Sequence, residues 1–185
     1  MLDMDKSMSY EELISGAPDN HKRLVKRMYS GVKLFEEGIE DIKNINTPVE
    51  VVIFTETRCQ DSAIVIPFLL RLSELNENIN LSFFRMKGNE DILEKMSGEK
   101  RVPTILVLNN DGDVLRKYVE LPNRVKYKIK ESDGRDRNVL VRKMRMGKFN
   151  EYIQKDLIEL ITGINYEYMD LWLSHNFEES SYRIF

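Results

Sequence analysis

The sequence predicts an α/β domain built on a mixed central sheet. Three observations carry that expectation. Val49-Glu50-Val51-Val52-Ile53-Phe54 is β-branched and nearly all apolar, as a strand buried on both faces is. Further strand-like runs follow it, separated by helical patterns. Asn109-Asn110-Asp111-Gly112 then divides two apolar runs, and Asp-Gly supplies the positive φ that a hairpin turn needs.

The elements justify themselves in order. Ser9-Tyr10-Glu11-Glu12 reads as a capping box that starts a short helix, which stops near Gly16-Ala17-Pro18. Asn20 is placed to cap a longer helix, with Leu24, Met28, Val32, Phe35 and Ile39 as its apolar stripe. Gly31 and Gly38 weaken that helix and mark where it breaks, if it does. After Thr47-Pro48 comes the strand at 49–54, then a helix from about Asp61 to Leu75 with Pro67 kinking its interior. Ile79, Leu81 and Phe83 alternate as a strand does. Asn89 is placed to cap a short helix closed by Gly98. Thr104 to Leu108 and Val114 to Val119 form the hairpin. Pro122 to Arg137 reads two ways: an edge strand with Lys126, Lys128 and Lys130 outward, or a helix opened by Pro122. Phe149 to Ile161 is amphipathic, with Tyr152, Ile153, Leu157, Leu160 and Ile161 inward and Gly163 past its end.

Composition narrows the class. The chain has 185 residues, enough to bury a core without staples, and its one cysteine allows no internal disulfide. The N-terminus is acidic, and the longest apolar run, Ala63 to Leu70, is too short to span a bilayer. A cytoplasmic protein without a membrane partner is expected. Arg116 to Lys148 holds twelve Lys/Arg against four Asp/Glu, while Phe149 to Phe185 holds two against seven. Two solvated, complementary faces account for this. The basic segment has few stacking aromatics and matches no RNA or DNA motif, so nucleic acid is not expected as a partner. His21 and His175 lack ligands at metal spacing, and no Gly-rich phosphate loop follows a strand. No metal and no cofactor are expected.

Chemistry concentrates at Cys59-Gln60-Asp61-Ser62, a C-x-x-S motif between a buried strand and a helix. A thiol at a helix start meets unpaired backbone N–H groups and the positive end of the helix dipole, which favour thiolate. Arg58 acts in the same direction and Asp61 against it. The Ser62 hydroxyl is placed to donate to the sulfur.

Pro67 follows Cys59 by eight residues, Val102-Pro103-Thr104 stands 44 residues on from the cysteine, and Asp111-Gly112 joins the last two strands. With these landmarks in register, Val51 to Val119 resembles thioredoxin. Residues 9 to 173 are similar to a poorly characterised bacterial and archaeal branch of thioredoxin-like proteins. Its members carry a helical N-terminal extension, a single-Cys motif of Trp-Cys-Gly-Asp-small type, and a Met-Arg-rich segment before a C-terminal helix. Glu56 to Ser62 and Arg142-Lys143-Met144-Arg145-Met146 resemble those features, with Arg58 and Gln60 departing from the aromatic and the glycine. The resemblance implies a three-layer α/β/α thioredoxin-like fold with helical terminal extensions. Its parts are an N-terminal extension over 1–47, the domain over 48–173 and a tail over 174–185. It implies a cis Val102–Pro103 bond facing the thiol, Cys59 and Ser62 as catalytic residues, and Arg58, Gln60, Asp61, Val102 and Pro103 as substrate contacts. In thioredoxins a buried carboxylate lies six residues before the first cysteine. Here Ile53 stands there and Ser62 replaces the second thiol, so the dithiol cycle is lost as a unit.

Two functions fit. One is monothiol exchange, in which Cys59 forms a mixed disulfide that an external thiol resolves, with a protein or a low-molecular-weight thiol or disulfide as partner. The other is a non-catalytic module that binds a peptide at the Pro103 loop. A homodimer through Cys59 stays open. Phe54-Thr55 resembles a peroxiredoxin feature, but its threonine lies four residues before Cys59 where peroxiredoxins have three.

Overall fold

The computed structural model describes residues 2–165. It has an α/β thioredoxin-like architecture: a four-stranded mixed sheet flanked by helices, with further helices at both ends. Strand β1 (Val49–Thr55) lies between β2 (Ile79–Arg85), parallel to it, and β3 (Thr104–Leu108), antiparallel; β4 (Val114–Val119) completes the order β2-β1-β3-β4. Because β1 is internal, its alternate side chains enter two separate cores. Val51 and Ile53 join one, and Val52 and Phe54 join the other with Phe84, Leu93 and Leu106.

Helix α1 (Tyr10–Ser15) opens with the expected capping box: Ser9 Oγ accepts from the Glu12 N–H at 3.2 Å and Glu12 accepts from the Ser9 N–H at 2.7 Å. Just before it, Met8 and Phe83 exchange backbone hydrogen bonds of 2.9 and 3.0 Å, which covers the outer edge of β2. Helix α2 (Asp19–Gly31) has Pro18 at its N-cap position, two residues before the expected Asn20, and its stripe does not run on to Ile39. The chain turns extended at Val32, Phe35 is 41% exposed, and α3 (Ile39–Lys43) starts afresh after Gly38 at φ +75. Gln154 ties down the segment between them, bonding the Phe35 N–H at 2.8 Å and its carbonyl at 2.7 Å.

Helix α4 (Gln60–Ser73) carries the buried Pro67 and packs on the Val51–Ile53 face; α5 (Glu90–Ser97) covers the other. Asn89 precedes α5 as expected, but its amide bonds the Arg85 carbonyl and caps nothing. After β4, the ambiguous stretch is helical, so the edge-strand alternative fails. Helix α6 (Asn123–Glu131) buries Val125 and packs Ile129, four apart on one helical face, and leaves Tyr127 64% exposed. The alternation of these three residues was a coincidence of a helical stripe. Helix α7 (Arg137–Arg145) buries Leu140 and Met144. Helix α8 (Asn150–Thr162) buries Ile153, Leu157, Leu160 and Ile161, as its pattern predicts, and also Gln154 and Asp156, which the pattern does not. It ends at Gly163, φ +76, where a Cβ would stand 2.9 Å from Arg116 Nη1. Arg116 uses that space to bond the Leu160 and Ile161 carbonyls at 2.6 and 3.0 Å. No helix among the described residues is long and apolar enough to cross a membrane. His175, the tail at 174–185 and the end of the domain at 173 lie outside the described residues.

Candidate functional site

Strand register places the site. Phe54, near the end of β1, pairs with Thr104, the first residue of β3, so the turn after β1 lies beside the loop before β3. The first carries Cys59 and the second carries Val102–Pro103, whose peptide bond is cis. Cys59 is the N-cap of α4 and is half-buried. Its Sγ accepts from the Ser62 N–H at 3.4 Å and donates to the Val102 carbonyl at 3.5 Å. The thiol thus takes the place that a serine or aspartate fills at other helix starts, satisfying one of the orphan N–H groups.

Ser62 meets the sulfur through its backbone. Its side chain is buried and takes a 2.7 Å hydrogen bond from Thr55 Oγ1, which reaches it from the end of β1. That pair seals the floor beneath the thiol. The Pro103 loop is held from behind. The Glu120 N–H donates to the Pro103 carbonyl at 2.7 Å, and Thr104 Oγ1 donates to the Arg101 carbonyl at 2.7 Å. The Glu120 carboxylate receives Arg101 at 2.6 Å and Arg137 at 2.8 Å. Among the described residues the Val102 N–H has no protein partner.

Asp61 points away from this face. It is 7% exposed and receives both Arg145 Nε, at 2.8 Å, and Arg145 Nη2, at 2.9 Å. The bidentate bond, with the Cys59 and Glu120 charges nearby, pushes the Arg145 guanidinium above its ordinary range. Deeper still, Tyr118 is fully buried and its hydroxyl has no hydrogen-bond partner among the described residues. Burial, then the carboxylates of Asp156, Asp61 and Glu120, raise its pKa well above the usual tyrosine value. Asp156, on α8, accepts from the Asn123 N–H and from Arg124 at 3.3 Å, joining α8 to the start of α6.

The structure therefore brings together Cys59, Ser62, Val102 and Pro103, with Arg58 and Gln60 exposed on either side of the thiol. Asp61 belongs to the same turn but faces the interior. Thr55, Glu120 and Arg145 complete the surroundings and were missed as site residues. Thr55 carried a signal, a hydroxyl directly after the apolar run Val51–Phe54. Arg145 lay in the Met-Arg-rich segment but is 84 residues from Asp61. No group of three or more His, Cys, Asp or Glu side chains among the described residues is arranged to hold a metal.

A comparison with curated proteins returned no match. Among solved structures, the chain is similar to a protein of unknown function, PA1234, from Pseudomonas aeruginosa. Their identity is 21% and the TM-score 0.72, over 86% of this chain and 95% of that one. It is also similar to an HIV epitope-scaffold, 4E10, at 20% identity and a TM-score of 0.73, over 88% and 96%. At such identities these likenesses speak for the fold. A family model described as thioredoxin matches residues 7–133, from before the capping box through the whole sheet and α6. With well over half its length inside that match, this single-cysteine chain belongs to the thioredoxin family.

Proposed function

We propose that the protein catalyses monothiol thiol–disulfide exchange at Cys59. The observation that supports this reading is the seat of its sulfur, 3.4 Å from the Ser62 N–H and 3.5 Å from the Val102 carbonyl of the cis-proline loop. Both contacts are weak sulfur hydrogen bonds that an incoming disulfide displaces at small cost. The free Val102 N–H offers an extended substrate a backbone partner. The chemistry balances in two steps. The Cys59 thiolate attacks one sulfur of R–S–S–R′, forming Cys59–S–S–R and expelling R′–S⁻, which takes up a proton. A low-molecular-weight thiolate R″–S⁻ then attacks the R sulfur, forming R–S–S–R″ and returning Cys59 as thiolate. One disulfide is spent and one made: the R″ sulfur is oxidised from thiol to disulfide level as the R′ sulfur is reduced from disulfide to thiol, and the R sulfur ends at the level at which it began.

In this reading Cys59 is the nucleophile and Ser62 fixes its position. Arg58, Gln60, Val102 and Pro103 contact the substrate, while Asp61 holds the turn from within. The lone thiol and the helices at both ends also support placing the chain in the single-Cys branch of its family, and a lone thiol suits a reducing cytoplasm. The test is turnover of a mixed disulfide with glutathione present. Wild type should accelerate it, and Cys59→Ala should fall to the uncatalysed rate. Equal rates for the two would overturn the proposal. Protein partners held by Cys59→Ser as firmly as by wild type would instead favour a binding module.

A further inference from the structure

A cleft opens next to the turn that carries the thiol, without Cys59 in its lining. It has a volume of about 360 Å³ and is lined by Pro18, Asn20, His21 and Leu24 from the start of α2, and by Arg58 and Gln60. The last two flank Cys59 in sequence. One wall of the cleft therefore comes from the turn that carries the nucleophile, and the other from the N-terminal extension. The volume is near the lower end of the ~300–1,000 Å³ span of small-ligand pockets, too small for a protein side and suited to a short peptide.

The lining has a definite chemical bias. Arg58 is exposed and has no acidic partner among the described residues, and no Asp or Glu lines the cleft. Asn20 and Gln60 bring two amides that can each donate and accept. Leu24 and Pro18 add an apolar part to the lining. His21, with its pKa lowered by burial, is a neutral imidazole near pH 7 and adds one donor and one acceptor without charge. One unpaired cation, several amide-matching groups and a small apolar surface suit a ligand with peptide bonds and a carboxylate.

We propose that this cleft is the subsite for the half of the substrate disulfide that stays on Cys59, and that this half is a small carboxylate-bearing peptide thiol of the glutathione type. The proposal rests on the exchange reading of Cys59. The carboxylate pairs with Arg58, the peptide groups bond Asn20 and Gln60, and the sulfur reaches Cys59 across the end of the turn. Specificity thus comes from the extension, since four of the six lining residues belong to it.

Two measurements on the full chain test this. In the first, formation of the Cys59 adduct is followed by mass with glutathione disulfide and with cystamine, whose ends are cationic. The ratio of the two rates is the readout. Arg58→Glu should lower the glutathione-to-cystamine ratio by about tenfold, as reversal of a nearby charge does at high dielectric, and His21→Ala should lower it less. A ratio unchanged in Arg58→Glu overturns the subsite. In the second, Cys59→Ser is titrated with S-methylglutathione, which cannot exchange, and backbone amide NMR shifts are recorded. Shifts centred on Asn20, His21, Leu24 and Gln60 that vanish in the Arg58→Glu background support the subsite. No shifts there up to millimolar ligand overturn it. If neither disulfide modifies wild type, the exchange reading falls, and the titration still decides the cleft by itself.

Discussion

Asp61 and Ser62 are adjacent in sequence but serve two differently built regions. On the Ser62 side, the sulfur of Cys59 rests on hydrogen bonds of 3.4 and 3.5 Å, and its flanking side chains are exposed. On the Asp61 side, a nearly buried carboxylate is gripped by two bonds of 2.8 and 2.9 Å from a helix far along the chain. The difference follows from what each region must do. A nucleophile has to exchange its resting partners for a substrate, so weak contacts serve it. The turn that presents it must stay put while that happens, and a bidentate, partly desolvated ion pair resists movement better than sulfur contacts do.

The largest test of this contrast is Arg145→Met. It strands the Asp61 carboxylate, whose side chain is only 11% exposed, and should cost about 2–3 kcal/mol, at or just below the low end for a broken buried pair because the pair is partly solvated on the Arg145 side. The shift should appear in the urea midpoint with m unchanged. A loss under about 1 kcal/mol would show that the turn is anchored elsewhere. Asp61→Asn should cost less, about 1–2 kcal/mol, because Arg145 is 41% exposed and regains water when its partner goes. The double variant should recover part of the Arg145→Met loss, since no carboxylate is then stranded.

On the thiol side, Thr55→Val leaves the buried Ser62 hydroxyl without its partner and should cost about 1–2 kcal/mol in the same assay. At high pH the half-buried Tyr10 and the buried Tyr118 enter. Burial, then Glu11, raises the Tyr10 pKa, and Tyr118 is raised as well. Above the ordinary tyrosine value of about 10 the unfolded chain loses protons that the folded chain keeps, so stability is full below that pH and falls as pH rises further. Tyr118→Phe should flatten that alkaline decline. Near pH 7 the same variant should change stability by less than about 1 kcal/mol, because it removes a hydroxyl that has no partner to lose.

How much of this was legible depends on distance along the chain. Cys59, Pro67 and the Val102–Pro103 step could be read because their spacing is fixed by one strand–helix–strand unit and a loop. The role of Asp61 could not be read. As a neighbour of the thiol it reads as a substrate contact, and only Arg145, approaching from α7, shows that it faces inward. The stretch from Pro122 was illegible for a different cause: Val125, Tyr127 and Ile129 satisfy a period of two as well as one side of a helix.

By itself the sequence determined the alternation of strands and helices, the two-sided burial of β1, the hairpin and the position of the thiol at a helix start. These are set by periodicity, turn chemistry and short-range spacing, all of which act between residues close in the chain. Only the tertiary structure decided that Ser62 meets the sulfur through its backbone, that Asp61 is locked to Arg145, and that the start of α2 shares a cleft with Arg58 and Gln60. Those contacts join residues brought together by packing. A polar side chain carries no periodic mark of the partner it will find there.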